Sequence, residues 1–144
     1  MRLDETDTRL LQLLRENARL PVSTLAAKLG LARTTVQARI ERLENSGAIS
    51  GYTLRTGGQL QPRLRATALV SIEPRSGPAV LDRLRNLPSV EVVHTTSGRF
   101  DLMVQIAAET TEALDDTLDR IGDANGVRSS ESLIHLATKL DRAV

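Results

Sequence analysis

Apolar residues recur every three or four positions in the first third of the chain. Leu10, Leu11 and Leu14 share one stripe of a helix predicted over residues 4–20, with Asp4 as its cap and Asp7 in its first turn. "NARLPVS" (residues 17–23) interrupts that pattern at Pro21, and Ser23 is the expected N-cap of a short second helix. Leu25, Ala26 and Leu29 face inward on it, and Gly30 can take the left-handed conformation that ends it. A third helix is predicted over residues 32–46, with its stop at Gly47. "AISGYTLR" (48–55) then turns β-like, as a wing or a strand leaving the helical domain would. Three helices with a tight turn between the second and third form a helix-turn-helix.

"RTGGQLQPRLR" (55–65) is rich in Gly, Pro and Gln, basic, and reads as a linker. Beyond it the period changes. "ATALVSI" alternates as a strand. "GPAVLDRLRNLP" is a helix with Val80, Leu81, Leu84 and Leu87 inward and Pro88 as its stop. "VEVVHTTS" and "DLMVQIA" are strands joined at "SGRF". "TTEALDDTLDRIGDANG" is a helix with Leu114, Leu118 and Ile121 on one stripe, closed by Asn125-Gly126, and "VRSSESLIHLAT" is a last strand. The order βαββαβ is that of a ferredoxin-like sandwich, so the fold class is α+β. Both helices of such a unit cover one sheet face. The other needs a partner, and a second copy of the chain is the simplest one.

The third helix carries the first functional signal. At about 100° per residue, Val36, Ile40 and Leu43 form its buried stripe. Thr34, Ala38, Glu41 and Asn45 lie opposite, flanked by Thr35 and Arg42 on one side and Gln37 on the other, with Arg39 at the stripe's edge. Arg33 and Arg39 fall in the first half, whereas the acids Glu41 and Glu44 come later. A helix entering a major groove N-terminus first is arranged this way, and the small Ala38 allows close backbone approach. A solvated helix face is the plainer alternative. The Gly30 turn and the wing-like segment favour DNA.

Charge sharpens this picture. The net +1 divides into +5 over residues 1–75 and −4 over residues 76–144, which suits a polyanion partner for the first half and another task for the second. Tyr52 and Phe100 are the only aromatics. Single-strand and RNA platforms stack bases on such rings, so duplex DNA is the expected partner. Cys is absent, which excludes disulfides and thiolate zinc sites. The charged N-terminus "MRLDETDTRL" has no apolar signal region, and no apolar run approaches the roughly 18 residues of a membrane span. The expectation is a soluble cytoplasmic protein. His94 and His135 belong to the second and fourth strands, at opposite sheet edges, so one subunit cannot bring both to a metal. No nucleophile elbow, phosphate-binding Gly loop or metalloprotease helix is present, so neither catalysis nor a cofactor is expected.

In their order and length these parts resemble the Lrp/AsnC family of bacterial and archaeal transcription regulators. The resemblance covers nearly the whole chain. It rests on "LDETDTRLLQLLRENAR", with the family's L-D-x-x-D opening, on "LAAKLGLARTTVQARIERLENSGAISGY", and on "HTTSGRFDLMVQI", whose S-G-x-[FY]-D core is the effector-loop signature. It implies a winged helix-turn-helix over residues 1–52, a linker or wing strand over 53–65, and a RAM/ACT-like ferredoxin domain over 66–144 that binds effector and builds oligomers. Arg33, Thr34, Thr35, Gln37, Arg39 and Arg42 become the implied DNA contacts, with Arg33 and Arg39 foremost for guanine edges or phosphates. Two positions depart from the pattern: Ala32 stands where relatives often have Ser, and Ala38 where they often have Arg.

Family members bind amino acids or related molecules between subunits, near the turn joining the two central strands. That maps to Ser97, Gly98, Arg99, Phe100 and Asp101, and the family's T-x-T pair on the last strand maps to Ser130 and Ser132. Gly98 permits close approach, Asp101 can pair with an ammonium, and backbone N–H groups can receive a carboxylate. A plain hairpin with Asp101 capping and both serines solvated is the competing account. The implied partners are double-stranded DNA, a small-molecule effector and the chain itself, as a homodimer assembling to an octamer. Two further functional readings stand beside it: a ligand-independent architectural DNA-wrapping protein, and a ligand-sensing module that never touches DNA.

Overall fold

The computed structural model describes residues 2–143. The chain packs as two units, the first running to Arg55 and the second spanning Thr56–Arg142.

The first unit holds α1 (Glu5–Glu16), α2 (Val22–Leu29) and α3 (Arg33–Asn45). Asp4 caps α1 as expected: its carboxylate accepts the Asp7 N–H at 2.7 Å, and the Asp7 carboxylate accepts the Asp4 N–H at 3.3 Å. The helix ends at Glu16, short of residue 20, because Asn17 turns extended and its side chain accepts the Arg19 N–H. Ser23 is not the cap of α2. The helix starts at Val22, one residue earlier, behind Pro21, whose fixed φ prepares the first turn without a side-chain bond. Gly30 takes φ +68° and closes α2. Leu10, Leu14, Leu25, Ala26, Leu29, Val36 and Leu43 form the core, with Ile40 and Ile49 packed against it.

The expected wing strand is not formed. After Gly47 (φ +81°) the Ile49 N–H returns to the Leu43 carbonyl, and residues 51–57 then run without a strand. A β-like sequence with no ladder partner in its own chain has nothing to hold it as a sheet.

The second unit is β1 (Leu64–Ile72), α4 (Gly77–Arg85), β2 (Val90–Thr95), β3 (Leu102–Ala108), α5 (Thr111–Gly122) and β4 (Val127–Ile134). The sheet is antiparallel in the order β2-β3-β1-β4, the ferredoxin-like arrangement. The turn after β2 therefore joins an edge strand to a central one, not two central strands. Ala66, Ala68 and Val70 of β1 and Leu102, Val104 and Ile106 of β3 point to one face. There they meet Val80 and Leu84 of α4 and Leu114 and Ile121 of α5. Thr117 takes an inward place beside the half-buried Leu118, its hydroxyl donating to the Ala113 carbonyl at 2.9 Å. Asn125-Gly126 does not close α5, whose C-cap is Asp123. It makes the turn into β4, which ends at Ile134 rather than running on to residue 138.

The opposite sheet face bears Leu69, Met103 and Ala107, all half-buried, and the more exposed Val92 and Leu133. At its centre the nearly buried Thr67 donates its hydroxyl to Gln105 Oε1 at 3.1 Å. The single hydroxyl proton being used, Thr67 accepts from His135 Nε2 at 2.8 Å. His94 lies on edge strand β2 and His135 follows edge strand β4, so the two residues belong to opposite edges of the sheet.

Candidate nucleic-acid interface and effector turn

The outward surface of α3 is built by the period that buries Val36 and Leu43. Arg33, Thr34, Thr35, Gln37, Ala38 and Arg42 are exposed, and Thr34, Thr35, Ala38, Arg39 and Arg42 line a shallow depression along it. Among the described residues the side chains of Arg33, Thr34 and Thr35 make no hydrogen bond or ion pair. Gln37 Nε2 donates to Glu41 Oε1 at 3.3 Å, an i,i+4 tie along the helix. Tyr52 donates its hydroxyl to Glu44 at 3.2 Å, and burial, then that carboxylate, raises its pKa.

Arg39 is placed differently from its neighbours. Its Nη1 lies 2.9 and 2.8 Å from the two Asp4 oxygens and 2.9 Å from Asp7 Oδ1. Arg42 Nη2 reaches the same Asp7 carboxylate, at 2.9 and 3.2 Å. Asp7 is fully buried, while the side chains of Arg39 and Arg42 are 24% and 55% exposed. Arg39, expected foremost on the DNA side, is thus turned toward α1. The Arg39 guanidinium, then the Asp7 N–H, holds the Asp4 carboxyl below its ordinary range, and Asp4 and Asp7 in turn raise Arg39. From the sequence, Asp4 and Asp7 read only as helix-start residues. Arg39 and Arg42 are three apart on α3, as are Asp4 and Asp7 at the start of α1, but nothing in the sequence pairs the two sets.

In the second unit, residues 97–101 form the turn between β2 and β3, with Gly98 at φ +101°. Arg99 sits over the Phe100 ring at 5.4 Å from its centre. Asp101 pins the turn to β1: its N–H donates to the Val70 carbonyl at 2.8 Å, and its Oδ2 accepts the Ile72 N–H at 2.8 Å. One carboxylate oxygen therefore has a backbone duty, as the capping account anticipated. Thr96 adds a bond from its hydroxyl to the Phe100 carbonyl. Ser130 lies opposite Val70 and Ser132 opposite Ala68, both on the helix-covered side of an edge strand that leaves them exposed. Ser130 is across β1 from the Asp101 end of β3, roughly 10 Å or two strand spacings away; Ser132 is one pleat further. The structure thus gathers the five turn residues closely and the serines only loosely. Arg128, not singled out from sequence, pairs with Glu73 at 3.1 Å beside this turn. Glu73 raises its pKa most, with a smaller contribution from the Asp101 charge.

A helix-turn-helix unit with a polar, partly basic third helix, followed by a ferredoxin-like unit with a Gly-containing turn at one end of its sheet, defines a two-domain DNA-binding regulator. Comparison with known proteins agrees. The AsnC-type helix-turn-helix domain matches residues 3–44, and the Lrp/AsnC ligand-binding domain matches residues 65–144. The chain belongs to the Lrp/AsnC family. The HTH-type transcriptional regulator LysM of Saccharolobus solfataricus is 31% identical over 137 residues, covering 94% of this chain and 95% of that one. A Neisseria meningitidis transcriptional regulator solved as its L-Met complex superposes with a TM-score of 0.88 at 25% identity, over 97% of this chain and 94% of its own. Escherichia coli AsnC shares the fold, with a TM-score of 0.91 at 23% identity over 100% of this chain and 99% of its own. The protein is a DNA-binding transcriptional regulator with a ligand-binding domain, not an enzyme. Among the described residues no helix is long and apolar enough to cross a membrane.

Proposed function

We propose that the chain reads specific duplex operators in the cytoplasm and that an amino acid or related zwitterion, bound at the 97–101 turn between subunits, changes how its dimers assemble. The exposed α3 surface supports the DNA half of this reading. Arg33, Thr34 and Thr35 are its unengaged base-reading side chains, Ala38 leaves room for close approach, and Arg42 reaches phosphate from its exposed side. Arg39 serves α1 more than the groove. The observation that carries the effector half is the turn itself. Gly98 opens the backbone at φ +101°, and Asp101 keeps Oδ1 for an ammonium while Oδ2 holds β1. The L-Met complex of the Neisseria protein supports the ligand class. Ser130 lines the approach to the turn, and Ser132 takes a peripheral place. The sheet face bearing Leu69, Met103 and Leu133 is the homodimer surface, with four dimers closing an octamer.

The decisive experiment combines thermal shift with duplex binding against the twenty amino acids. A rise in melting temperature with one amino acid, together with a change in operator affinity, is expected. No response to any, with equal affinity for all duplex sequences, would establish the architectural wrapping alternative instead.

A further inference from the structure

The Asp7 carboxylate is fully buried, and closing the cap of α1 is only part of its duty. It accepts from Arg39 Nη1 and from Arg42 Nη2, so one acid at the start of α1 holds two arginines one turn apart on α3. Asp4, half-exposed, accepts from the same Arg39 Nη1. A buried carboxylate is strongly unfavourable unless paired, and here both its cationic partners come from α3. The clasp also fixes side-chain attitude. Among the described residues only Nη1 of Arg39 and only Nη2 of Arg42 are engaged, so the remaining N–H groups project in set directions from a rigid fork.

We infer that Asp7, assisted by Asp4, is a positioning residue for DNA recognition: it sets the attitude of α3, holding Arg39 against α1 and aiming the free N–H groups of Arg42 at the groove, so that selectivity among duplex sequences depends on a residue that touches no DNA. The inference rests on α3 being the reading helix. A residue that only stabilises the fold leaves selectivity untouched once the variant is folded. A residue that acts only through its negative charge weakens binding to all duplexes alike, so its removal strengthens all alike. Positioning differs from both, because it acts on the ratio between a preferred and a scrambled sequence.

The test begins by selecting a preferred duplex from a randomised pool with the unaltered chain, then measuring affinity for it and for a scrambled duplex of equal composition. Asp7→Asn preserves volume and removes the charge. It is expected to lower the preferred-to-scrambled ratio by about tenfold, as losing one well-placed base contact does, while scrambled-duplex affinity holds or rises. Asp4→Asn, at a half-exposed site that tolerates exchange, is expected to lower the ratio by a smaller factor and covers the case in which Asp7→Asn does not fold. In an Arg39→Ala/Arg42→Ala background, Asp4→Asn is expected to have no further effect on the ratio. A folded Asp7→Asn or Asp4→Asn chain with an unchanged ratio overturns the inference. An unaltered chain that binds no duplex overturns the DNA reading itself.

Discussion

Asp4 has two jobs at the scale of a single side chain: it caps α1 and holds Arg39. Its pKa in the fold lies below the ordinary 3.8, chiefly through the Arg39 hydrogen bond. A carboxyl that is more acidic folded than unfolded contributes stability while ionised. That contribution is complete above the unfolded value and is lost as pH falls through the folded one. Glu73 follows the same sign through Arg128. Asp4→Asn is therefore expected to lower the melting temperature near neutral pH and to flatten its decline below about pH 4. Calorimetry over an acid series checks this, and parallel acid limbs for the two proteins would refute it. Arg33 belongs to the same scale. Arg33 has no ion-pair partner among the described residues, and Arg33→Ala is expected to weaken duplex binding and to reduce the slope of log affinity against log salt by about one. A titration at several salt concentrations with an unchanged slope would remove Arg33 from the contact set.

At the scale of elements, two glycines mark where turns decide the geometry. Gly30 ends α2 at φ +68° with open space around the position of a Cβ, so Gly30→Ala carries only the left-handed penalty, about 1–2 kcal/mol. Gly126, at φ +94°, would place a Cβ 2.6 Å from Ser76 Cβ. Gly126→Ala adds overpacking to strain and is expected to cost about 2–4 kcal/mol. Urea unfolding of the two variants orders them; a larger loss at Gly30 would contradict the packing argument. The helical elements were legible because spacing of three and four is a local property: Leu10 with Leu14 and Val36 with Leu43 pack where their period puts them. Failures came at element boundaries, one for want of a distant partner and one through a residue two positions away. "AISGYTLR" has strand chemistry but no partner strand among the described residues. Ser23 has cap chemistry, but Pro21 had already begun the turn.

For the whole molecule, the sheet face turned away from α4 and α5 is the one proposed above as the dimer surface. Leu133 is 51% exposed on an edge strand, on the same face as the half-buried Leu69 and Met103. Leu133→Asp leaves the helix-covered core intact. It is expected to shift the chain toward monomer at micromolar concentration, with unchanged helical circular dichroism and weakened operator binding. Sedimentation velocity reads the mass directly, and an unchanged mass would exclude this face from the dimer.

The sequence alone determined the two kinds of element, their order, the family and the exposed face of α3, because each depends on residues a few positions apart or on contiguous motifs. Tertiary structure alone decided what the arginines of α3 are tied to. Asp7 and Arg39 are separated by 32 positions, and the Ile72 N–H and Asp101 by 29. No periodicity specifies such pairs. They exist because packing α1 with α3 leaves the buried Asp7 carboxylate no cationic partner but the arginines, and pairing β3 with β1 brings the exposed Asp101 carboxylate to the Ile72 N–H.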